Sequence, residues 1–370
     1  MAVDFSPRTR TKERIVLPDD VKPTHYDVKL IPDLERFVFH GEQTVKCDVK
    51  NSVTSISFNT RDIYVKEVHF TDANGDKHDM VKSGYVNATH TYTCYFEKKL
   101  AVGEGKLYVK FEGELNDQMA GFYRSNYTNI HGEKKWMAST QFEAIDARRA
   151  FPCWDEPNVK AVFAVTLVVD ADLTCFSNMP EKSTKIVKHT FGTQTKEMRE
   201  IQFMDSPKMS TYLLAFIVGE FDFVSAVTNN GVIIRCYTPP GRAADGEFAL
   251  DCAVKCLDLY DDYFGIPYPL PKCDMVAIPE FAAGAMENWG CVTYREVDLL
   301  ISSSASAGQK QRVATVVNHE LAHQWFGNLV TMDWWDDLWL NEGFASWCEN
   351  YATDLVYPNY KMWEQFVGDT

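Results

Sequence analysis

The sequence has 370 residues, of which 45% are hydrophobic and 24% charged, and 52 acidic against 37 basic residues give a formal net charge of −15. This length is enough for about two or three folded domains, and the composition is that of a folded rather than a disordered chain. The acidic balance excludes non-specific binding to nucleic acid or to an anionic membrane, because the phosphate groups would be repelled.

The sequence predicts neither a targeting segment nor a membrane span. Residues 1–20 are polar and mixed in charge, without the apolar core of a signal peptide. The most apolar runs, 161–169 and 212–218, are far shorter than the roughly 20 residues that a spanning helix needs. Ten cysteines are scattered without a CxxC pair, which is typical of reduced thiols. We therefore expect a cytoplasmic protein, with flexible residues over about 1–14.

Up to about residue 220 the pattern is that of β structure. The run 162–169 is continuously apolar, as in a strand buried on both faces. Turn residues at 72–75, 102–105 and 229–231 separate the segments. We predict an antiparallel sandwich or an open, saddle-like sheet. Elsewhere, apolar residues alternate with polar ones as in half-buried strands: Val45, Cys47 and Val49; Ile56 and Phe58; Leu107, Val109 and Phe111.

From about residue 222 onward the periodicity becomes helical. The spacing of apolar residues predicts a helix over Glu247–Phe264, ended by Gly265, and a second helix over 309–326. A third helix is predicted from about Asn341, with an apolar stripe formed by Phe344, Trp347, Tyr351 and Leu355. The fold class is therefore α+β, with an N-terminal β domain over 1–222 and a helix-rich domain over 223–370.

The second predicted helix contains the motif HExxH at 319–323. Side chains four residues apart lie on one helical face, so the imidazoles of His319 and His323 can reach one metal ion. Glu320 can then point toward an open coordination position and take a proton from metal-bound water. The motif alone is equally compatible with two partly buried histidines on an ordinary amphipathic helix.

A third ligand is offered by Glu342, which lies near the start of the third predicted helix. Two antiparallel helices joined by a loop of this length can bring Glu342 opposite His319 and His323. Two histidines and one glutamate leave a coordination position open, as in catalytic rather than structural zinc sites. Asn341 either holds a ligating imidazole or caps the helix.

A second constellation comprises Gly284, Ala285, Met286, Glu287 and Asn288. A glycine beside small residues lets the backbone approach a substrate closely, as an added edge strand would. Glu287 would lie beside that edge and could bind a cationic side chain or a free N-terminus. A solvated loop position for Glu287 fits the sequence equally well. In a third segment, 141–157, we expect Arg148 and Arg149 to pair with local carboxylates in a structural elbow between the domains.

In this order and spacing, the motif HExxH-x18-E and the upstream GAMEN resemble the M1 family of zinc aminopeptidases. The runs 151–157 and 319–347 support the resemblance. The runs 209–216 and 281–296 are most similar to its puromycin-sensitive cytosolic branch. The similarity extends over the chain from about Leu17.

The resemblance implies a role for each matching residue. His319, His323 and Glu342 would bind one Zn²⁺ per chain, and Glu320 would be the general base. Two carboxylates, those of Glu287 and Glu143, would bind the free α-ammonium of a peptide substrate and block further chain. The remaining substrate-binding positions would be Gln141 in the same subsite and Gly284, Ala285, Met286 and Asn288 along the substrate.

The resemblance also implies a thermolysin-like second domain of which 223–370 is only the N-terminal part. In this family a tyrosine downstream of the metal site hydrogen-bonds the developing oxyanion. Tyr351, Tyr357 and Tyr360 are too close to Glu342 to match it, so the matching region would lie beyond Thr370.

Three hypotheses follow for the function. The first is a zinc aminopeptidase that removes N-terminal residues from peptides. The second is a truncated, catalytically impaired chain that binds peptides or zinc and regulates another protein. The third, a zinc endopeptidase, is disfavoured because Glu143 and Glu287 would recognise nothing in a mid-chain substrate. None of the three predicts a nucleic-acid or membrane partner, and the sequence leaves the oligomeric state open.

Overall fold

A computed structural model describes residues 14–191 and 194–369 of the chain. The prediction that residues 1–14 are flexible falls outside the described residues, except at residue 14. The described residues form four α-helices: α1 (Glu247–Phe264), α2 (Ala307–Ala322), α3 (Leu338–Val356) and α4 (Met362–Asp369).

The described residues also form nineteen strands. Their bounds are β1 (Val21–Asp33), β2 (Val38–Val49), β3 (Ser55–Asn59), β4 (Ile63–Thr71), β5 (Lys77–Val86), β6 (Thr91–Phe96), β7 (Gly103–Glu114), β8 (Gly121–Thr128), β9 (Lys134–Gln141), β10 (Val162–Asp170), β11 (Thr174–Ser177), β12 (Glu181–Phe191), β13 (Gln194–Phe203), β14 (Phe216–Gly219), β15 (Asp222–Val227), β16 (Ile233–Thr238), β17 (Lys272–Ile278), β18 (Ala285–Met286) and β19 (Cys291–Arg295).

The N-terminal domain consists of two sheets. The larger has ten strands in the order β12-β13-β10-β1-β2-β7-β4-β5-β6-β3, and the smaller has four in the order β11-β14-β9-β8. Their pairs are antiparallel except for β1 with β10, which run parallel with His25 opposite Val162. Every residue of the three predicted alternating runs is buried, and β10 is almost continuously buried, as predicted. The fold class is α+β, with this strand-rich domain first and a helical domain second.

One of the predicted turns is wrong. Residues 103–105 begin β7, where Gly103 pairs with Val49 and Gly105 pairs with Cys47. Glycine at position 105 has a packing reason, since the Phe70 ring occupies the space that a Cβ would need. The turns at 72–75 and 229–231 are present, and both Gly75 and Gly231 have the positive φ that glycine permits.

Glycine is also required by packing at position 41 in β2, where the ring of Phe111 stands in the place of a Cβ. We expect Gly41→Ala to lower the free energy of unfolding by about 1–3 kcal/mol, the range for overpacking a closed core. Gly84→Ala in β5 is the matched control, because its Cβ would meet nothing closer than the Tyr95 ring at 3.8 Å. Denaturant unfolding of both variants measures the difference, and equal stabilities would contradict this packing account.

The predicted pairing of the arginines in segment 141–157 is confirmed. Arg148 Nε donates to Asp155 Oδ2 at 2.8 Å, and Arg149 Nε lies 3.2 Å from Asp146 Oδ1. Both guanidinium groups are buried with their carboxylates close by. These ion pairs therefore serve the packing of the segment.

The second domain combines the helices with a five-stranded mixed sheet in the order β15-β16-β17-β19-β18. Its sheet was not predicted from the sequence. The short strand β18 lies at the sheet edge and pairs antiparallel with β19. Helix α1 has the predicted bounds, and Gly265 ends it in the left-handed conformation with its N–H bonded to Asp261 O.

Helix α3 does not bury the apolar stripe that its sequence pattern suggests. Phe344 and Trp347 remain 50% and 45% exposed. The helix instead buries the small residues Ala345, Cys348 and Ala352, because small side chains allow its backbone to approach α1 and α2 closely. None of the helices within the described residues is long and apolar enough to cross a membrane.

Candidate active site

Helix α2 places the two histidines of the HExxH motif. Ser306 and Gln309 form a capping box at its N-terminus. His319 and His323 lie one turn apart near its C-terminus, with their Nε2 atoms 3.0 Å from each other. Glu342, in the second turn of α3, places its Oε2 atom 3.3 Å from His319 Nε2 and 3.6 Å from His323 Nε2. The loop between α2 and α3 therefore brings the three donor atoms together, as predicted for this pair of helices.

The geometry of these donor atoms fits one zinc ion. Tetrahedral ligands at about 2.0–2.1 Å from zinc stand about 3.3 Å from one another, close to the 3.0–3.6 Å separations seen here. The donor set of two imidazoles and one carboxylate also matches the preference of catalytic zinc. The His319, His323 and Glu342 group could thus hold a metal ion.

The other ring nitrogen of each histidine has a hydrogen-bond acceptor. His319 Nδ1 donates to Glu349 Oε2 at 2.6 Å, and His323 Nδ1 donates to the main-chain oxygen of Phe326 at 2.9 Å. These bonds fix the orientation of both rings, so that each Nε2 atom faces Glu342.

Neither role that the sequence suggested for Asn341 is observed. Helix α3 begins earlier, with Asp337 at the N-cap position. The buried Asn341 side chain donates from Nδ2 to the sulfur of Met332 at 2.9 Å instead of to an imidazole. Glu349 orients the first histidine in its place. A sequence signal was present, because Glu349 follows Glu342 by two helical turns and so lies on the same face of α3.

Glu349 makes a testable contribution to metal binding. We expect Glu349→Gln to weaken zinc affinity about 10- to 100-fold, because the variant loses the anion that orients His319 and raises its basicity. Competition with a chromophoric chelator measures the dissociation constant. Glu364→Gln, an exposed position on α4, is the control. An unchanged dissociation constant in Glu349→Gln would show that this bond does not support the site.

The charges around the donor group favour a cation. Although burial opposes it, hydrogen bonds with Glu342 and Glu349 raise the pKa of His319 to about 11. Burial also lowers the pKa of His323, but the charge of Glu287 and the hydrogen bond with Glu342 outweigh it and raise this pKa to about 9. The same bonds to both histidines lower the pKa of Glu342. The protein thus surrounds this group with negative charge that a bound metal ion would balance.

Glu320 lies beside the group that could hold a metal ion, without belonging to it. Its side chain is buried, and its Oε2 atom has no hydrogen-bond partner among the described residues. Burial, opposed by the charges of His319 and His323, raises its pKa to about 7. A carboxylate with that pKa is suited to accept and return a proton near neutral pH.

The second group of carboxylates belongs to the same site. Glu287 is only 3% exposed, which excludes a solvated loop position. One carboxylate oxygen of Glu287, one of Glu143 and the amide oxygen of Gln141 are buried without a partner among the described residues. Burial, followed by the charges of Glu287 and Glu342, raises the pKa of Glu143 to about 9. These unpartnered oxygens are complementary to a protonated amine.

The remaining predicted positions lie on and next to the edge strand. Gly284 and Ala285 are partly exposed there, whereas Met286 is buried. Asn288 is also buried, and its Nδ2 donates to Thr293 Oγ1 of β19 at 3.1 Å. Tyr212, which the sequence did not single out, is buried beside the site, and burial and the charges of Glu287 and Glu143 raise its pKa. The site therefore lies between the two domains.

A comparison with protein-family models assigns the chain to a family. The Peptidase M1 N-terminal domain matches residues 22–213, and the Peptidase family M1 domain matches residues 248–370. The chain belongs to peptidase family M1, as its motifs suggested.

Curated relatives agree with this assignment. The chain is 47% identical over 359 residues to "Aminopeptidase M1-A" of Oryza sativa subsp. japonica, and the matched region covers 96% of this chain and 40% of the relative. It is 46% identical over 354 residues to "Puromycin-sensitive aminopeptidase" of Caenorhabditis elegans, covering 95% and 37%. It is 46% identical over 368 residues to "Aminopeptidase 2, mitochondrial" of Saccharomyces cerevisiae, and the matched region covers 98% of this chain and 37% of the relative. The chain thus spans 37–40% of the length of these relatives.

Proposed function

We propose that the chain carries the site of a zinc aminopeptidase that removes single residues from the free N-terminus of peptides. One observation carries the proposal. The metal-ligating group His319–His323–Glu342, the unpartnered base Glu320 and the amine-complementary carboxylates Glu143 and Glu287 share one site. The names of the three relatives, all aminopeptidases, support the same reaction.

Substrate binding would begin at the amine. The carboxylates of Glu143 and Glu287 accept hydrogen bonds from the α-ammonium, and the amide oxygen of Gln141 is available as a third acceptor. Strand β18 lies at the edge of its sheet, so its main chain can pair with the backbone of the substrate. An N-acetylated peptide has no ammonium and would leave the buried oxygens of Glu143 and Glu287 without a hydrogen-bond donor.

Hydrolysis then depends on Glu320. His319, His323 and Glu342 would hold zinc, which when bound supplies a Lewis acid that polarises the scissile carbonyl and acidifies water. Glu320, whose buried Oε2 atom has no other partner among the described residues, would accept a proton from the attacking water and return it to the leaving amine. The bond between His319 and Glu349 keeps the ligating ring fixed during these steps.

An assay on the purified, zinc-loaded chain tests this proposal. Fluorogenic aminoacyl substrates with a free amine are compared with their N-acetylated counterparts, with and without a chelator. We expect turnover of the free substrates alone, abolished by the chelator and restored by zinc. Zinc binding without any turnover would instead support the alternative of a catalytically impaired binding protein, which the comparisons do not support.

We further propose a division of the chain at residues 222 and 223, and a cytoplasmic location. Sheet membership supports the division to within one residue, since β14 ends at Gly219 in the four-stranded sheet and β15 starts the five-stranded sheet at Asp222. The location is supported by ten free cysteines, all buried, as expected in a reducing compartment. Limited proteolysis tests the division. Because one relative is named mitochondrial, fractionation of the expressing cells must separate cytosol from mitochondria.

A further inference from the structure

The main chain of Glu287 is held by two buried amide side chains from the end of the metal-binding helix. Its carbonyl oxygen accepts a hydrogen bond from Gln324 Nε2 at 3.2 Å and another from Asn328 Nδ2 at 2.8 Å. Gln324 is 1% exposed and Asn328 is fully buried. Two donors use both lone pairs of this carbonyl, so the position of Glu287 is defined from two directions.

The same two residues are tied to the groups that flank the metal site. Gln324 Nε2 also donates to the main-chain oxygen of Glu320 at 3.0 Å, and its Oε1 accepts from the N–H of Gly290 at 3.4 Å. The main-chain N–H of Asn328 donates to His323 O at 3.0 Å. One amide therefore joins the backbone of the general base to the backbone of Glu287, and the other joins Glu287 to a ligating histidine.

The rest of the segment 287–290 is held from other directions. Asn178 Nδ2 donates to the carbonyl of Trp289 at 2.9 Å, and Lys272 Nζ donates to that of Gly290 at 2.8 Å. Neither donor comes from α2 or from the loop that follows it. The distance between Glu287 and the metal-binding helix is thus set by Gln324 and Asn328.

We propose that Gln324 and Asn328 are positioning residues that fix the amine-binding carboxylate of Glu287 at a set distance from His319 and His323. This inference rests on the proposed function. In an α-amino acyl residue, one carbon separates the ammonium from the scissile carbonyl. A fixed spacing between the two binding points therefore selects substrates whose amine lies one carbon from the reacting bond. An error of about 1 Å in such positioning can cost about a hundredfold.

The experiment measures binding, independently of turnover. The zinc-loaded chain is titrated calorimetrically with leucine hydroxamate, which offers a metal-binding group and a free α-amine, and with N-acetylleucine hydroxamate, which lacks the amine. We expect the wild-type chain to bind leucine hydroxamate more tightly. In Gln324→Met and in Asn328→Asp, we expect this preference to fall about tenfold while zinc content is retained.

The two variants guard against different artefacts. Methionine at position 324 keeps the approximate volume and removes the donor. Aspartate at position 328 keeps the shape but adds a negative charge, which by electrostatics alone would strengthen ammonium binding. Weaker binding in Asn328→Asp is therefore specific to loss of the donor Nδ2. Gln311→Met, at an exposed position of α2 where the side chain bonds Gln365 of α4, is the matched control and should leave both affinities unchanged.

A double-mutant cycle shows whether Gln324 acts through Glu287. In a Glu287→Ala background, Gln324→Met should cause no further loss of leucine hydroxamate affinity, because the carboxylate being positioned is absent. Additive losses, or an unchanged preference in both single variants with zinc bound, would overturn the positioning role. If the wild-type chain binds the two hydroxamates equally, the proposed amine site itself is wrong, and Gln324 and Asn328 position no amine-binding carboxylate.

Discussion

Replacing Glu320 with glutamine is expected to lower the rate of peptide hydrolysis by about a hundredfold to ten-thousandfold, the usual contribution of a general acid or base. Glutamine keeps the size of the side chain but cannot accept a proton at neutral pH. The three donor atoms that converge on the metal position belong to His319, His323 and Glu342, and none belongs to Glu320. The zinc content of the variant should therefore remain that of the wild-type chain. Steady-state kinetics together with metal analysis measures both quantities on one preparation.

The control for this variant is Glu364→Gln. Glu364 lies on the surface of α4, where its carboxylate pairs with Lys361, and its replacement should change neither rate nor zinc content. Loss of zinc in Glu320→Gln would make Glu320 a ligand or a structural residue and would remove the reason for naming it the base. A rate unchanged from wild type would exclude the role outright.

Replacing His323 with alanine is expected to weaken zinc binding by more than about a hundredfold. Loss of a residue that only hydrogen-bonds a metal ligand costs up to about a hundredfold, and loss of a ligand should cost more. His323 is almost fully buried, and its Nε2 faces both His319 and Glu342. Without it the metal position retains two protein ligands, so dialysis should remove zinc and hydrolysis should stop. Chelator competition measures the affinity, and circular dichroism reports whether the fold is retained.

His131→Ala provides the comparison for this loss. His131 is exposed in the turn between β8 and β9, away from the metal position, so its removal should leave zinc affinity unchanged. If His323→Ala retained zinc with wild-type affinity and folded normally, the two-histidine, one-glutamate site would be wrong.

Much of the site could be predicted because its signals are local. The spacing of His319 and His323 depends only on the helical period, and Glu342 required one further assumption, that α2 and α3 pack together. Alternation identified the buried faces of β2 and β7, and Gly265 marked the end of α1 at the correct residue. Each of these features is determined by residues close together in the sequence.

The features that were missed depend on contacts between distant segments. Asn341 was placed at a helix cap or on a histidine because neither its position inside α3 nor its contact with Met332 can be read from the chain. The glycines at 103 and 105 resemble turn residues, but they lie in β7, where a ring from β4 fills the space of the side chain that Gly105 lacks. The aromatic stripe of α3 suggested a buried face, yet small side chains make the close contact.

The most direct test of the account follows the products formed from one peptide over time. The zinc-loaded chain is incubated with a decapeptide and with its N-acetylated twin, and the products are identified by mass spectrometry. We expect the free peptide to lose residues one at a time from its N-terminus, the acetylated peptide to stay intact, and a chelator to stop the reaction. Internal cleavage, or equal cleavage of the acetylated twin, would contradict an amine-anchored aminopeptidase site.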